Sequence, residues 1–436
     1  MIMSFSGCAV AGVLVACGWA AIGATLGAGA LLLGLIVFSR RRLAAVLWAG
    51  VAFTAPLQGV RVGSALALSD LVIILAVLAI LPDVTRGWRQ VVPDGLVTAF
   101  GVLVLAGLVG TFFAPSTAES IAVLFKIVLA AAGSIVAMAL WRPSREELRR
   151  FAWLWMAGAT ASAVWGAIAP RELYAGRTAG LTTHPNHFGL VCALGVGLGL
   201  GLALSSAGRA RLAALACVIV LIGGVGISGS RTALFALVVA VGVTAILTRR
   251  FRLLVTVAVV AVLASISVII GIVKIPDSHA LSRLVGGGAS AVSDVERQQT
   301  LEAALASIER HPVTGEGFGL ALAAHNIYVQ ALVVGGPLAL LGFLGVSGLI
   351  VRRGLGAPRQ ARGGRDGPLL AGLTAGYIAY LCSGIFDNIL WDRYLWTYIG
   401  LLLTLAAASR RPTQRPTSIP SRAAEAGTPA LVPASL

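Results

Sequence analysis

The stretch Leu212–Leu247 reads LAALACVIVLIGGVGISGSRTALFALVVAVGVTAIL. Two apolar runs, Leu212–Ile227 and Thr232–Leu247, flank the short polar break Ser228-Gly229-Ser230-Arg231. Each run is close to the roughly 20 residues that a helix needs to cross a hydrocarbon core. Arg209 and Arg211 precede the first run, and Arg249, Arg250 and Arg252 follow the second. Two membrane helices joined by a tight turn fit this pattern, with their basic ends on one side and a lone arginine on the other.

The same unit recurs outward in both directions. Upstream runs are Cys8–Ile22, Ala24–Phe38, Leu43–Pro56, Leu71–Leu81, Leu96–Phe113, Ile121–Leu140, Phe151–Ala169 and Phe188–Leu204. Downstream runs are Leu253–Val273, Ile327–Ile350, Leu369–Cys382 and Tyr394–Ala408. The first two upstream runs have no charge between them. Joined, they would extend about 45 Å, too long for one span, so a hairpin near Gly23 is expected. The reading is an all-α, polytopic transmembrane bundle of about 12–14 spans.

Composition agrees. The chain is 58% hydrophobic and 11% charged, whereas a soluble domain carries roughly 25% charged residues. The net charge of +16 raises the question of nucleic acid. The basic residues, however, sit in short gaps between apolar runs without interleaved aromatics, so no nucleic-acid partner is expected. With the N-terminus cytoplasmic, roughly two-thirds of the basic residues fall in inside loops. Both termini are then inside. The five cysteines lie in or beside apolar runs and read as small helix residues, without a disulfide or metal framework. No basic segment precedes the first apolar run, so a cleaved signal peptide is not expected.

The transmembrane domain is taken as residues 1–408 and includes a long extracytoplasmic loop, 275–324. Residues 409–436 are a Pro/Ser/Thr/Ala-rich tail, expected to be disordered and cytoplasmic. Helical periodicity is expected from Asp294 to Arg310, after a joint at Gly286, Gly287 and Gly288. Gly195, Gly197, Gly199 and Gly201 superficially resemble a phosphate loop. They lie within a span, with no strand before them, and read as a close-packing surface between helices.

Candidate chemistry gathers in the external breaks. Arg231 opens a span from outside, where a cation opposes the helix dipole and the positive-inside bias. A bound anion would make the position favourable, since a guanidinium, exposed N–H groups and the dipole would act together. The plainer reading is an interfacial arginine on lipid phosphate. Arg177 lies in a loop, with His184, Pro185, Asn186 and His187 just beyond it; Pro185-Asn186 reads as a turn and N-cap. The two histidines lack an evident third metal ligand. His325 precedes Asn326 and Tyr328 at another outer helix start, where a histidine tends to stay neutral, as a general base must. A capping histidine is the structural alternative. Upstream, Gly315, Gly317 and Gly319 form a tight turn around Glu316, a substrate contact or a solvated loop carboxylate. Lys126 lies within a span, as a substrate contact or a snorkelling cation. Asp387, Asp392 and Arg393 share the last external turn, where an ion pair is expected.

Taken in order, Gly176-Arg177, His184-Pro185-Asn186, Ser228-Gly229-Ser230-Arg231, Gly315-x-Gly317-x-Gly319 and His325-Asn326-x-Tyr328 resemble the O-antigen ligase and polymerase superfamily of bacterial envelope glycosyltransferases. The resemblance covers most of the chain. It implies a GT-C type helical bundle in the bacterial inner membrane. It also implies an inverting, metal-independent reaction without a cofactor, on the extracytoplasmic face. The donor would be an undecaprenyl-pyrophosphate-linked glycan and the acceptor a glycan, lipid or protein. Arg177 and Arg231 would bind the pyrophosphate, and His325 would activate the acceptor hydroxyl. Asn326, Tyr328, Glu316, Asn186 and Lys126 would contact substrate. The chain departs from the family's pattern at His184, where asparagine is usual before Pro185, and at Val334, where many relatives are acidic. A transporter of a small anion or polysaccharide precursor is the alternative; it would require broken helices and charge at mid-membrane. A non-catalytic scaffold would need no external Arg/His arrangement.

Overall fold

The computed structural model describes residues 40–62, 66–80, 91–169, 172–173, 177–252, 290–319, 324–361, 364–387, 390 and 392–410. The runs Cys8–Ile22, Ala24–Phe38 and Leu253–Val273, the Gly286–Gly288 joint and the tail beyond residue 410 lie outside them. The described chain is helical, with two short antiparallel hairpins: β1 (Arg61–Val62) with β2 (Leu66–Ala67), and β3 (Glu172–Leu173) with β4 (Arg177–Thr178).

The helices are α1 (Arg40–Thr54), α2 (Leu68–Ile80), α3 (Leu96–Thr111), α4 (Thr117–Trp141), α5 (Arg145–Ile168) and α6 (Pro185–Ser205). They continue with α7 (Gly208–Ile227), α8 (Arg231–Thr248), α9 (Ser290–Arg310), α10 (Ile327–Gln360), α11 (Asp366–Ser383) and α12 (Arg393–Ala408). Among the described residues, six of them (α4 to α8 and α10) are long and apolar enough to cross a membrane, and α2 and α3 are shorter apolar helices. The protein is an all-α, polytopic helical membrane bundle. Its outer surface carries large apolar side chains such as Leu105, Ile168, Leu212, Ile219 and Val238, as a lipid-facing surface requires.

Helix α6 is the central post, with 94% of its apolar window buried. Its glycines explain how it fits there. A side chain at Gly197 or Gly201 would strike the backbone of α11 at Gly372 or Pro368, while one at Gly195 or Gly199 would strike Leu221 or Val218 of α7. The alternating glycines therefore serve two packed faces and build no phosphate loop, as their position within a span suggests.

Helix α10 breaks at Gly335 and Gly336, just before Pro337. Gly336 has φ +62° and ψ −159°, a region essentially reserved for glycine. The glycine turn seats in this break: the Glu316 and Gly317 N–H groups donate to the Val333 and Val334 carbonyls at 2.7 and 3.1 Å. Val334 is fully buried, so its side chain serves packing here.

The helix ends sort onto two ends of the bundle. At one, Arg145 donates to the Ala408 carbonyl, Arg149 and Arg365 donate to the Ser205 carbonyl, and Asp366 lies 3.6 Å from Arg149. The starts of α5 and α11 thus meet the ends of α6 and α12. The opposite end gathers the starts of α6, α8, α10 and α12, and there the candidate residues meet.

Candidate functional site

Arg177 sits in β4 and is 5% exposed. A guanidinium so buried needs oxygen acceptors. Its Nε donates to the Ser228 carbonyl at 3.1 Å, and an Nη donates to Asn186 Oδ1 at 2.5 Å. Two distant segments, the start of α6 and the turn before α8, are therefore joined through one arginine. Leu181 N–H donates to Ser162 Oγ on α5 and holds the loop on the bundle.

The N-cap of α6 is His184, where Asn186 was expected. The Asn186 N–H donates to His184 Nδ1 at 3.1 Å, and Pro185 takes the first helical position. An accepting Nδ1 requires a neutral ring with its proton on Nε2. Burial pushes the His184 pKa down to about 3, and the neighbouring His187, Arg177, His325 and Arg297 lower it further. Asn186 is left free to orient Arg177. His187 lies 3.2 Å from Gln58 Nε2 and 3.7 Å from the buried Asp392 carboxylate. The His184 and His187 ring centroids are 5.5 Å apart. Among the described residues, no group of three or more His, Cys, Asp or Glu converges as a metal site would.

Arg231 begins α8. Ser230 caps the helix by accepting from Ala233 N–H, and Gly229 makes the turn at φ +63°. The anion expected at this terminus is present as a side chain: Arg231 pairs with Asp294 of α9. The two side chains are 26% and 50% exposed, so the pair is open to exchange.

His325 adopts a left-handed backbone, φ +46°, immediately before the α10 cap. Asn326 Oδ1 accepts from the Tyr328 and Val329 N–H groups, and Ile327 N–H donates to the Gly384 carbonyl. The His325 Nδ1 is buried and makes no hydrogen bond among the described residues. Burial lowers its pKa; Asp387 and Glu296 oppose the shift, whereas Arg297 and His187 add to it. Arg177, His184, His187 and His325 thus form one electrostatic cluster with α9 beside it.

The other expected contacts fall elsewhere or serve structure. Glu316 is 2% exposed and pairs with Arg310 at 3.1 Å and His311 at 3.9 Å, so it is no solvated loop carboxylate. Tyr328 OH donates to the Leu381 carbonyl at 2.9 Å. Lys126 lies on the exposed side of α4, opposite the buried Val123, Leu124 and Ile127. Arg393 forms its ion pair with Asp70 of α2, through bonds of 2.6 and 2.8 Å, and not with its neighbours in the last turn. Asp387, Asp294 and Arg297 are additions that sequence reasoning missed. Asp387 had a usable signal, an acid in the turn before the last apolar run. Asp294 and Arg297 lay in a segment whose docking face no local pattern reveals.

A multi-pass helical membrane protein with a buried arginine, an ion-paired arginine and neutral histidines at one end is the class that this geometry defines. Residues 215–344 match the family model described as O-Antigen ligase, and this supports placing the chain in the O-antigen ligase/polymerase superfamily. The matched stretch contains Arg231 and His325, while Arg177 and His184 precede it. No curated protein matches the chain.

Proposed function

We propose that the protein transfers a glycan from an undecaprenyl-pyrophosphate carrier to an acceptor hydroxyl, on the extracytoplasmic face of a bacterial inner membrane. The observation that carries this reading is the convergence of Arg177 and the Ser228–Arg231 turn with His184 and His325. The ligase/polymerase family match agrees with it.

In the proposed reaction the pyrophosphate lies against Arg177 and Arg231. His325, neutral through burial, accepts the proton of the acceptor hydroxyl. The hydroxyl oxygen attacks the anomeric carbon from the face opposite the pyrophosphate. The carbon–oxygen bond to the carrier breaks with inversion, and the arginines stabilise the charge that grows on the leaving phosphate. Asp387 opposes the fall in the His325 pKa and favours the imidazolium that forms. Nothing in this scheme requires a metal ligand. Asn186 acts by orienting Arg177, and Asn326 by fixing the backbone beside His325.

Lys126 has no part in the proposed transfer. An anion carrier would want that cation turned inward, and it lies on the exposed side of α4. His325→Ala and Arg231→Ala should each abolish glycan transfer while the protein still reaches the membrane. Normal transfer by both variants would refute the assignment.

A further inference from the structure

A cavity of about 580 Å³ lies at the end of the bundle opposite the candidate site, between the ends of α6, α8 and α10 and the start of α11. Leu204, Ile246, Leu247 and Leu355 give it apolar walls. Ile246 is 58% exposed, so those walls continue into the lipid-facing surface of α8. Arg249 and Arg250 line the same cavity, and both are exposed. Arg249 has φ +55° and ψ +32°, the left-handed conformation that glycine usually supplies past a helix end. Its N–H donates to the Ala245 and Ile246 carbonyls, and the Arg250 N–H donates to Ala245 at 2.9 Å. This turn stops α8 and leaves two adjacent cations at the cavity. Asp366, which opens α11, lies 3.8 and 3.6 Å from Arg145 and Arg149. Among the described residues, no carboxylate pairs with Arg249 or Arg250. A cation suits the C-terminal end of a helix dipole, which accounts for charge at this turn but not for an apolar cavity beside it.

We propose that this cavity binds an anionic phospholipid of the leaflet opposite the candidate site, with its phosphate on Arg249 and Arg250 and an acyl chain along the leucine and isoleucine walls. Two cations call for an anion, and planar guanidinium groups match phosphate oxygens. Apolar walls that run into the bilayer surface call for hydrocarbon. A phospholipid carries both in one molecule, whereas a soluble phosphate would leave the walls uncovered. Basic pockets between membrane helices take lipid headgroups of this kind. The bound lipid would brace the ends of α8, α10 and the start of α11 against one another. The opposite ends of α8 and α10 begin at Arg231 and Ile327, beside the candidate site. The inference does not depend on the reaction proposed above.

The test is native mass spectrometry of the full-length protein in detergent, titrated with phosphatidylglycerol or with zwitterionic phosphatidylcholine. Wild type should retain phosphatidylglycerol in clear preference to phosphatidylcholine. Arg249→Gly/Arg250→Gln removes both charges, and glycine suits the left-handed turn, so the fold is kept. Phosphatidylglycerol affinity should fall about 30-fold in this variant, roughly fivefold for each arginine. Phosphatidylcholine binding should not change. Arg209→Gln/Arg211→Gln takes the same charge from the exposed start of α7, outside the cavity lining, and should bind like wild type. Phosphatidylglycerol should also raise the thermal unfolding midpoint of wild type and not that of the cavity variant. Equal affinity of wild type for the two lipids, or unchanged phosphatidylglycerol affinity in the cavity variant, would overturn the inference. An equal loss in the α7 variant would do so too, by showing diffuse charge attraction. Displacement of the lipid by millimolar inorganic phosphate would mark a soluble-anion site instead and overturn it as well.

Discussion

Replacing Asn186 separates the charge of Arg177 from its placement. Asn186 is 3% exposed, and its Oδ1 accepts from the Arg177 guanidinium at 2.5 Å. Asn186→Ala removes that acceptor and leaves the Ser228 carbonyl, 3.1 Å from Nε. A hydrogen bond to a charged group is worth roughly 1.5–3 kcal/mol, so donor affinity and transfer should fall about 10- to 150-fold. Asn186→Asp keeps an acceptor in place but supplies a counter-ion. Two unit charges at 4 Å attract by about 4 kcal/mol at an effective dielectric constant of 20, and desolvation offsets part of this. The aspartate variant should therefore fold at least as well as wild type, yet transfer as poorly as the alanine variant, because its carboxylate competes with the pyrophosphate. The assay is initial transfer rate against donor concentration in proteoliposomes, alongside thermal unfolding. Wild-type rates and donor affinity in Asn186→Asp would refute the idea that the site uses the positive charge of Arg177.

Asp70→Asn strands Arg393, whose side chain is 14% exposed, and should cost about 3–5 kcal/mol in unfolding measurements; Asp70→Asn/Arg393→Met should recover most of it. Gly336→Ala places a methyl against the Val313 carbonyl in a backbone region meant for glycine, and should lower stability by about 3 kcal/mol or more, read as loss of folded protein in detergent. Because folding lowers the His184 pKa to about 3, the unfolded chain binds the extra proton below about 6.5. Stability should be full above that pH and fall by roughly 1.4 kcal/mol per unit as the pH drops toward 3. His325 acts in the same direction. His184→Asn keeps a cap and should flatten this dependence in pH-resolved unfolding curves.

The helices were legible because lipid imposes a simple rule: a span must be apolar and must satisfy its own backbone. From Leu43 onward, the apolar runs within the described residues each fall on a helix. The glycine series in α6 was legible for the same reason, since a run within a span has only neighbouring helices to meet. Position at helix starts also exposed Arg231 and His325 as unusual. What the sequence did not show was partner choice. Arg393 reaches Asp70 across more than 300 residues, in preference to the acids beside it. His184, rather than Asn186, supplies the cap, because an imidazole Nδ1 reaches the N–H two residues on and leaves the amide free for Arg177. Glu316 looked like a solvated loop acid because its burial comes from the α10 break, which is set by Gly335 and Gly336 some twenty residues later. Asp294 became relevant only when α9 laid it on Arg231.

The most direct measurement is chromatography of polyprenyl-linked glycans extracted from the source bacterium, with the gene deleted and then restored as wild type or as His325→Ala. Carrier-linked glycan should accumulate in the deletion and in the His325→Ala strain, and clear with wild type. Long chains on the carrier would mark a ligase, and single repeat units a polymerase. A His325→Ala strain that reaches wild-type protein levels and clears its carrier-linked glycan normally would contradict the proposed reaction.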